Sequence, residues 1–265
     1  MDFYHFTAGR TPLLVSMPHV GTHVPDDIAG RMTNSALTLP DTDWHVDRLY
    51  DFLGDLGAGV IRATHSRYVI DLNRPPDGAA LYPGASNTEL CPTTQFDDSP
   101  IYRPGQGLSE RDVAARLERY WRPYHQRLAQ ELAALKARYG FALLFDAHSI
   151  RSVVPRFFAG RLPDINLGTG SGASAASELA ALLIERAGDA VDYSSVLNGR
   201  FKGGYITRQY GRPAEGVQAV QLELAQVTYM DEDPPFAFRD DLARRVRPVL
   251  RGIVAAMLEW AGTRS

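Results

Sequence analysis

The stretch FALLFDAHS, residues 141–149, constrains the fold more than any other part of the chain. Its first five residues are all apolar, without the alternation of apolar and polar residues that marks a half-exposed strand. A strand of this kind belongs inside a sheet that is covered on both faces. The rest of the chain therefore has to supply further strands beside it, and helices above and below it.

Strand and helix patterns alternate along the chain and supply those elements. Apolar runs predict strands at residues 12–17, 59–64, 67–72 and 217–226, and helical spacing predicts helices at 42–57, 109–140, 176–188 and 236–262. Strands separated by helices imply an α/β three-layer sandwich with a mixed, mainly parallel sheet. Because no repeat and no linker divides the sequence, we expect a single domain over residues 1–265.

Polar and Pro/Gly-rich stretches mark the connections between these elements. Residues 73–107 and 151–173 predict long loops, which in a compact domain are usually functional or disordered. In the longest predicted helix, Ser109 and Asp112 resemble a capping box, and Pro123 predicts a kink or a break.

Charge and cysteine content exclude several classes of protein. The net charge of −3 gives no positive field for binding nucleic acid or an anionic membrane, and the single cysteine, Cys91, gives no disulfide framework. No apolar run approaches the roughly 18 residues of a membrane span, and the first ten residues lack the basic and apolar regions of a signal peptide. We therefore expect a cytoplasmic protein that binds neither nucleic acid nor a membrane. The residues do not predict its oligomeric state.

Two histidines stand where predicted strands end. His19 follows the first strand, and His148 lies near the end of FALLFDAHS. Ligands of open α/β sheets bind beyond the carboxyl ends of strands, so the two imidazoles can converge there on a metal ion. Zinc accepts imidazole nitrogen and carboxylate oxygen, and a catalytic zinc keeps one position open for water. Either histidine alone would more often be structural, so the prediction depends on the pair and on a nearby carboxylate.

The helix predicted at 42–57 offers that carboxylate. Asp43 lies in its expected first turn, beside the apolar stripe that must face the sheet, whereas Asp47 lies about 40° further round the helix. Asp43 is therefore the favoured third ligand, and Asp47 is the alternative. Acids in a first turn also interact favourably with the helix dipole, so a purely structural role for Asp43 stays open.

Glu223 is a carboxylate inside the otherwise apolar strand at 217–226. Burying an acid there costs free energy unless the carboxylate is paired or used. Beside a metal site it can act as a general base, which takes a proton from water and passes it to the leaving group. The alternative is a buried ion pair with an arginine.

Arginine and asparagine side chains flank the strand predicted at 67–72 and indicate substrate recognition. Arg67, Asn73 and Arg74 offer donors in the geometry that carboxylates accept, and Asp71 can orient one of these arginines. Arg208, which follows two glycines, can hold a second acidic group. Together they predict a small-molecule substrate with two carboxylates, although each arginine could instead make a structural salt bridge.

The remaining histidines are weaker candidates. His23 belongs to no HExxH helix and is predicted to be a loop residue or a neighbour of the metal ligands. His45 and His65 carry less weight, and His5 and His125 look like surface positions.

Six motifs of the chain, in order, resemble those of the N-formylglutamate deformylase (N-formylglutamate amidohydrolase) family. They are SMPHVGTHVP, DTDWHVDRLY, SRYVIDLNRPP, FDAHS, FKGGYITRQYG and VQLELAQ. The resemblance runs from about residue 12 to residue 260. It implies a phosphorylase/hydrolase-like fold related to zinc carboxypeptidases and aspartoacylase.

The resemblance also implies a role for each matching residue. Metal ligands would be His19, Asp43 and His148, the catalytic acid would be Glu223, and the substrate carboxylate would be bound by Arg67, Asn73 and Arg74. One feature departs from the related enzymes. Their HxxE motif is absent, because Val20, Gly21 and Thr22 follow His19, so the carboxylate ligand has to come from the next predicted helix.

The activity that the resemblance implies is hydrolysis of N-formyl-L-glutamate to L-glutamate and formate, in histidine degradation. The expected cofactor is Zn²⁺, although another divalent metal could take the same ligands. Two alternatives remain at this point. One is a zinc amidase that acts on cell-wall peptides or on another N-acyl amino acid, and the other is a non-catalytic binding protein of the same fold.

Overall fold

Seven strands pair into one mixed sheet in the computed structural model, which describes residues 2–81, 84 and 86–263. In chain order they are β1 (Tyr4–Thr7), β2 (Leu13–Met17), β3 (Gly59–Ala63), β4 (Ala142–Ile150), β5 (Ile165–Gly168), β6 (Ser195–Leu197) and β7 (Val217–Ala225). Their order across the sheet is β1-β3-β2-β4-β7-β5-β6. The four central strands β3, β2, β4 and β7 are parallel, while β1 and β5 run antiparallel to their neighbours β3 and β7. The mixed, mainly parallel sheet is therefore confirmed.

Helices cover both faces of this sheet. Within the described residues they are α1 (Asp26–Ala29), α2 (Val46–Leu49), α3 (Glu110–Arg116), α4 (Arg122–Tyr139), α5 (Ser177–Gly188), α6 (Tyr205–Tyr210) and α7 (Asp240–Gly262). Short 3₁₀ turns occupy Ala36–Thr38, Asp51–Leu53, Gly170–Gly172, Pro213–Glu215 and Gln226–Thr228, and a π-helical segment occupies Leu117–Trp121. None of the helices in these parts of the chain is both long and apolar enough to cross a membrane.

Strand β4 separates two apolar cores. Leu143, Phe145 and Ala147 face a core that includes α5 and α7, whereas Leu144 faces a core that includes α4. All nine residues of β4 are buried, as a strand without polar alternation requires. The three-layer α/β arrangement predicted from the sequence is therefore confirmed.

The structure differs from the sequence predictions in several elements. The helix expected at 42–57 is reduced to α2 and one 3₁₀ turn, because His45 adopts a left-handed conformation with φ 61° and delays the start of the helix. The strand expected at 67–72 is absent. In its place Val69 N–H bonds to Ser66 O in a turn, and Asp71 N–H bonds to Leu90 O. The edge strands β1 and β6, the strand β5 beside β6, and the short helices α1 and α6 are not predicted by the sequence patterns.

The long helical region after Ser109 follows its predicted signals. Ser109 and Asp112 form the capping box, with both reciprocal hydrogen bonds present. The π-helical segment lies directly before Pro123, whose ring lacks the N–H that a regular helix would use. One prediction in this region is wrong: His125 is buried, because its ring stacks on Trp121 at 3.7 Å and its Nε2 lies 2.8 Å from Leu72 O.

Candidate functional site

Three buried residues meet beyond the carboxyl ends of the parallel strands β2 and β4. His19 follows β2, His148 is the third residue from the end of β4, and Asp43 lies in the loop before α2. Oδ2 of Asp43 lies 3.0 Å from Nδ1 of His148 and 3.8 Å from Nδ1 of His19. One ligand atom from each residue lies within 4.8 Å of the other two, so this triad could hold a metal ion.

Asp43 reaches the triad from a loop and not from the helical turn in which the sequence suggested it. Its backbone N–H donates to the carbonyl oxygen of His19, and its Oδ2 accepts from the N–H of Ser149 at 3.1 Å. Its other oxygen, Oδ1, is buried without a hydrogen-bond partner in the described part of the chain, and Nη1 of Arg67 lies 3.8 Å from it. Asp47, the alternative ligand, is exposed and pairs with Arg62.

Each of the two histidines has a carboxylate within hydrogen-bond distance of its Nε2 atom. Nε2 of His19 lies 2.7 Å from Oδ1 of Asp71, and Nε2 of His148 lies 3.0 Å from Oδ2 of Asp146. An imidazole that donates its Nε2–H to a carboxylate leaves the Nδ1 lone pair directed at the centre of the triad. Carboxylates of this kind fix the ring orientation and the tautomer of metal-binding histidines.

Burial and the surrounding charges set the ionisation of the triad. Burial, together with the nearby Arg67 charge, lowers the pKa of His19. Burial would also lower the pKa of His148, but Asp146 and Asp43 raise it well above its ordinary value. The histidines in turn hold the pKa of Asp43 below its ordinary value, against the effect of burial. Asp146 and Asp43 thus favour a positive charge at the triad, and a bound cation would compete with the proton on His148.

Glu223 lies beside the triad because β7 pairs with β4 and places it opposite His148. Its carboxylate is buried, and burial raises its pKa to about 8, with Asp43 adding to this increase. The hydrogen bond found for it within the described residues comes from Nε2 of Gln221, at 3.3 Å, and no arginine there forms an ion pair with it. The arrangement therefore differs from the buried Glu–Arg pair considered as the alternative.

A cleft of about 570 Å³, its open mouth included, leads to these residues. His19, His148 and Glu223 lie among its lining residues, and Arg67, Arg74 and Arg200 line it as well. Arg67 is bound by Asp71 at 2.6 Å, as the sequence suggested, and stacks on Phe96. Arg74 donates to Asn73 O and to both the carbonyl and the hydroxyl oxygen of Thr88.

Two of the predicted substrate-binding residues have a different environment from the one expected. Asn73 lines the cleft, but its amide nitrogen lies 3.2 Å from Oδ2 of Asp146, and its oxygen accepts from Ile206 N–H. Arg208 is not among the described residues that line the cleft, and its Nε donates to Gly203 O. Arg200 does line it and was missed, because no spacing or strand end marks it in the sequence.

The other histidines lie away from the triad. His23 and His65 pack against each other with ring centroids 4.8 Å apart, and burial lowers the pKa of His65 to about 4. His45 bonds to Phe236 O, and His5 is exposed as predicted.

Comparison with known proteins shows close relatives over almost the whole chain. The family model described as N-formylglutamate amidohydrolase matches residues 11–230. A protein of Pseudomonas aeruginosa named N-formylglutamate deformylase is 54% identical over 259 residues, which cover 98% of this chain and 97% of the relative. A protein of the same name from Pseudomonas putida is 51% identical over the same shares of both chains.

A solved structure shares the fold. The crystal structure of N-formylglutamate amidohydrolase from Ralstonia eutropha JMP134 is 26% identical, with a TM-score of 0.80 over 99% of this chain and 98% of that one. The triad, the buried Glu223 and the arginine-lined cleft thus belong to a chain that resembles these proteins from end to end.

Proposed function

The chain belongs to the N-formylglutamate amidohydrolase family, and on that basis we propose that it hydrolyses N-formyl-L-glutamate to L-glutamate and formate. The observation that carries the proposal is the identity of 54% and 51% with two proteins named for this activity, over 98% of the chain in each case. The buried triad and the cleft above it supply the kind of site that such a hydrolysis needs. In this role the protein would complete one route of histidine degradation, as the family resemblance implies.

A divalent cation, for which Zn²⁺ is the first candidate, would be held by Nδ1 of His19, Nδ1 of His148 and the carboxylate of Asp43. Two imidazole nitrogens and one carboxylate oxygen are a ligand set that zinc accepts, and cobalt, manganese or iron could take the same ligands. The unpartnered Oδ1 of Asp43 and the carboxylates behind both histidines support this assignment. Such an ion supplies Lewis acidity and lowers the pKa of water in its coordination sphere.

Glu223 would carry the proton in the reaction. As general base its carboxylate takes a proton from the attacking water, whose oxygen forms a bond to the formyl carbon. As the bond between that carbon and the amide nitrogen breaks, the proton passes from Glu223 to the nitrogen, which leaves as the amine of L-glutamate. A pKa of about 8 suits this exchange, since a proton carrier works best when its pKa lies near the working pH.

The arginines would place the substrate over the triad. Arg67 and Arg74 line the cleft together with His19 and His148, and each has a planar set of N–H donors that matches a carboxylate. The ion pair with Asp71 fixes the Arg67 side chain, so less conformational freedom is lost when the substrate binds. We assign these two residues, with Asn73 as their support, to the α-carboxylate. The role suggested by the sequence for Arg208, with a second acidic group, stays a prediction.

The test is amide hydrolysis by the purified, metal-loaded protein, followed as release of formate from N-formyl-L-glutamate and as release of the free amine from every substrate. N-Formyl-L-glutamate should be hydrolysed with a far higher kcat/KM than N-acetyl-L-glutamate or a cell-wall tripeptide assayed in parallel. Release from the peptide alone would favour the cell-wall amidase. Absence of hydrolysis with every substrate, in protein that carries stoichiometric metal, would favour a binding protein.

A further inference from the structure

Arg200 lines the same cleft from the segment that joins β6 to α6. Its guanidinium carbon lies 5.8 Å from the ring centroid of Phe157 and 5.5 Å from that of Phe201. Nε donates to Phe157 O at 2.6 Å, and Nη2 donates to Ser86 O at 3.3 Å. Both of these acceptors are neutral carbonyl oxygens, which carry no counter-charge for the guanidinium, and Arg200 is one of the residues that line the cleft.

The segment that carries Arg200 is fixed to the sheet at both ends. Before it, the side chain of Asn198 accepts from Thr169 N–H and donates to Thr169 Oγ1, both at 2.9 Å. After it, the N–H of Gly204 donates to Oε1 of Gln221 at 2.6 Å. A cation held on a fixed segment binds an anion with less loss of conformational entropy than one on a mobile loop.

The three arginines of the cleft differ in their relation to the triad. Arg67 has a nitrogen 3.8 Å from Asp43, and Arg74 directly follows Asn73, whose amide nitrogen lies 2.9 Å from His148. Arg200 instead bonds to carbonyl oxygens of residues that form the cleft wall. Arg67 is thus tied to the triad and Arg74 to its neighbour Asn73, whereas Arg200 is held by the cleft wall at Phe157 and Ser86.

The proposed substrate has two carboxylates at different distances from the amide bond that is hydrolysed. The α-carboxylate is attached to the carbon that carries the formylated nitrogen, whereas the side-chain carboxylate lies two methylene groups further away. Resting on the proposed function, we infer that Arg200 binds the side-chain carboxylate and so selects N-formyl amino acids with an acidic side chain. Arg200 is half-buried and lies beside two phenylalanine rings, so part of its surface is shielded from water, and a charge-assisted hydrogen bond is stronger there than in bulk solvent.

The inference is tested by comparing N-formyl-L-glutamate with N-formyl-L-glutamine, which has the same shape and no charge on its side chain. Arg200→Ala should lower kcat/KM for the glutamate substrate by about 10- to 100-fold, the range for loss of a charge-assisted hydrogen bond, mainly through KM. For N-formyl-L-glutamine it should change kcat/KM by less than about 3-fold, since an uncharged amide gains little from a guanidinium charge. The preference for the acidic substrate should therefore collapse.

Lys202→Ala is the matched control, because it removes an exposed positive charge from the same segment and should leave both values unchanged. Arg208→Ala tests the competing prediction. Arg200→Gln, which keeps most of the side-chain length, replaces Arg200→Ala if the latter loses structure, and melting temperature and metal content verify each variant.

Two results would overturn the inference while leaving the proposed function intact. One is an Arg200 variant that keeps the wild-type preference for N-formyl-L-glutamate, and the other is a selective loss of that preference in Arg208→Ala. A wild-type protein that releases no formate from N-formyl-L-glutamate would instead contradict the proposed function, and the inference with it.

Discussion

Nε2 of His19 lies 2.7 Å from Oδ1 of Asp71, whose second oxygen lies 2.6 Å from Nη2 of Arg67. The carboxylate of Asp71 therefore holds both a proposed metal ligand and a proposed substrate-binding residue. Burial opposes its ionisation, but His19, Arg74 and Arg67 hold the pKa of Asp71 well below its ordinary value. The negative charge of this residue is thus built into the site.

Asp71→Asn should weaken metal binding without abolishing it. An asparagine can still accept a hydrogen bond from His19, but it lacks the charge that makes the imidazole a stronger ligand, so we expect metal affinity to fall by about 10- to 100-fold. Competition with a coloured chelator measures this. Asp77→Asn, at an exposed position nearby, is the control, and equal affinities for the two variants would show that Asp71 does not support the ligand.

Asp43→Asn should reduce metal binding far more than Asp47→Asn. The first change removes a charged oxygen from the centre of the triad, whereas the second affects an exposed acid that pairs with Arg62. Metal content after gel filtration decides between them. The reverse order of the two variants would move the carboxylate ligand to Asp47.

Glu223→Gln should bind metal as wild type does but lose most of its catalytic activity. The amide preserves the shape of the side chain but cannot accept a proton, so kcat should fall by about 10²- to 10⁴-fold while KM changes little. Steady-state formate release and metal analysis of the same preparation measure both quantities. A variant that turns over at the wild-type rate would remove Glu223 from the mechanism.

The pKa of Glu223 leads to a separate prediction for the metal-free protein. Since the folded-state pKa is raised from 4.5 to about 8, the folded protein keeps a proton that the unfolded chain loses, and stability falls as the pH rises between these values. Glutamine cannot lose that proton. Near pH 4.5 metal-free Glu223→Gln should therefore unfold with about the same free energy as wild type, and at pH 8 it should be more stable by roughly 4 kcal/mol, since one pKa unit corresponds to about 1.4 kcal/mol.

Thermal melting of both metal-free proteins at the two pH values tests this prediction. For a chain of this size the difference corresponds to roughly 8–16 °C in Tm at pH 8. If Glu223→Gln melts lower than wild type at pH 8, then the carboxylate is charged and paired in the folded state. That outcome would restore the structural alternative of a buried ion pair.

The central part of the fold could be predicted because its physical signals are local. Strand β4 lacks polar alternation, and this alone required a sheet covered on both faces. Ligands of α/β proteins bind at the ends of such strands, so the positions of His19 and His148 in the sequence predict a shared site. Both lie in the triad.

Asp43 is the carboxylate of the triad, but it does not lie in the helix from which the sequence predicts it. Helical periodicity placed it in the first turn of a helix, yet it lies in a loop, and the helix starts only after His45 with its positive φ. What holds Asp43 is a backbone hydrogen bond to His19, a residue 24 positions earlier, together with the N–H of Ser149. Contacts between such distant residues leave no periodic pattern in the sequence.

The contacts of Arg200 and of Asp146, the carboxylate next to His148, could not be predicted from the sequence for the same reason. Arg200 enters the cleft because Phe157 and Ser86 come near it in the fold, not because of any motif around it. Asp146 lies two residues before His148 on the same strand, β4, and Ser16 of the neighbouring strand β2 donates to its other oxygen at 2.9 Å. Residue types alone do not predict such pairings.

The most direct test of the central claim is a metal titration followed by formate release from N-formyl-L-glutamate. Protein stripped with a chelator should be inactive, and activity should rise linearly with added Zn²⁺ and level off at one ion per chain. His19→Ala and His148→Ala should stay inactive at the same additions, whereas the exposed-site control His5→Ala should follow wild type. Full activity in the stripped wild-type protein, or normal reconstitution of either triad variant, would contradict the account.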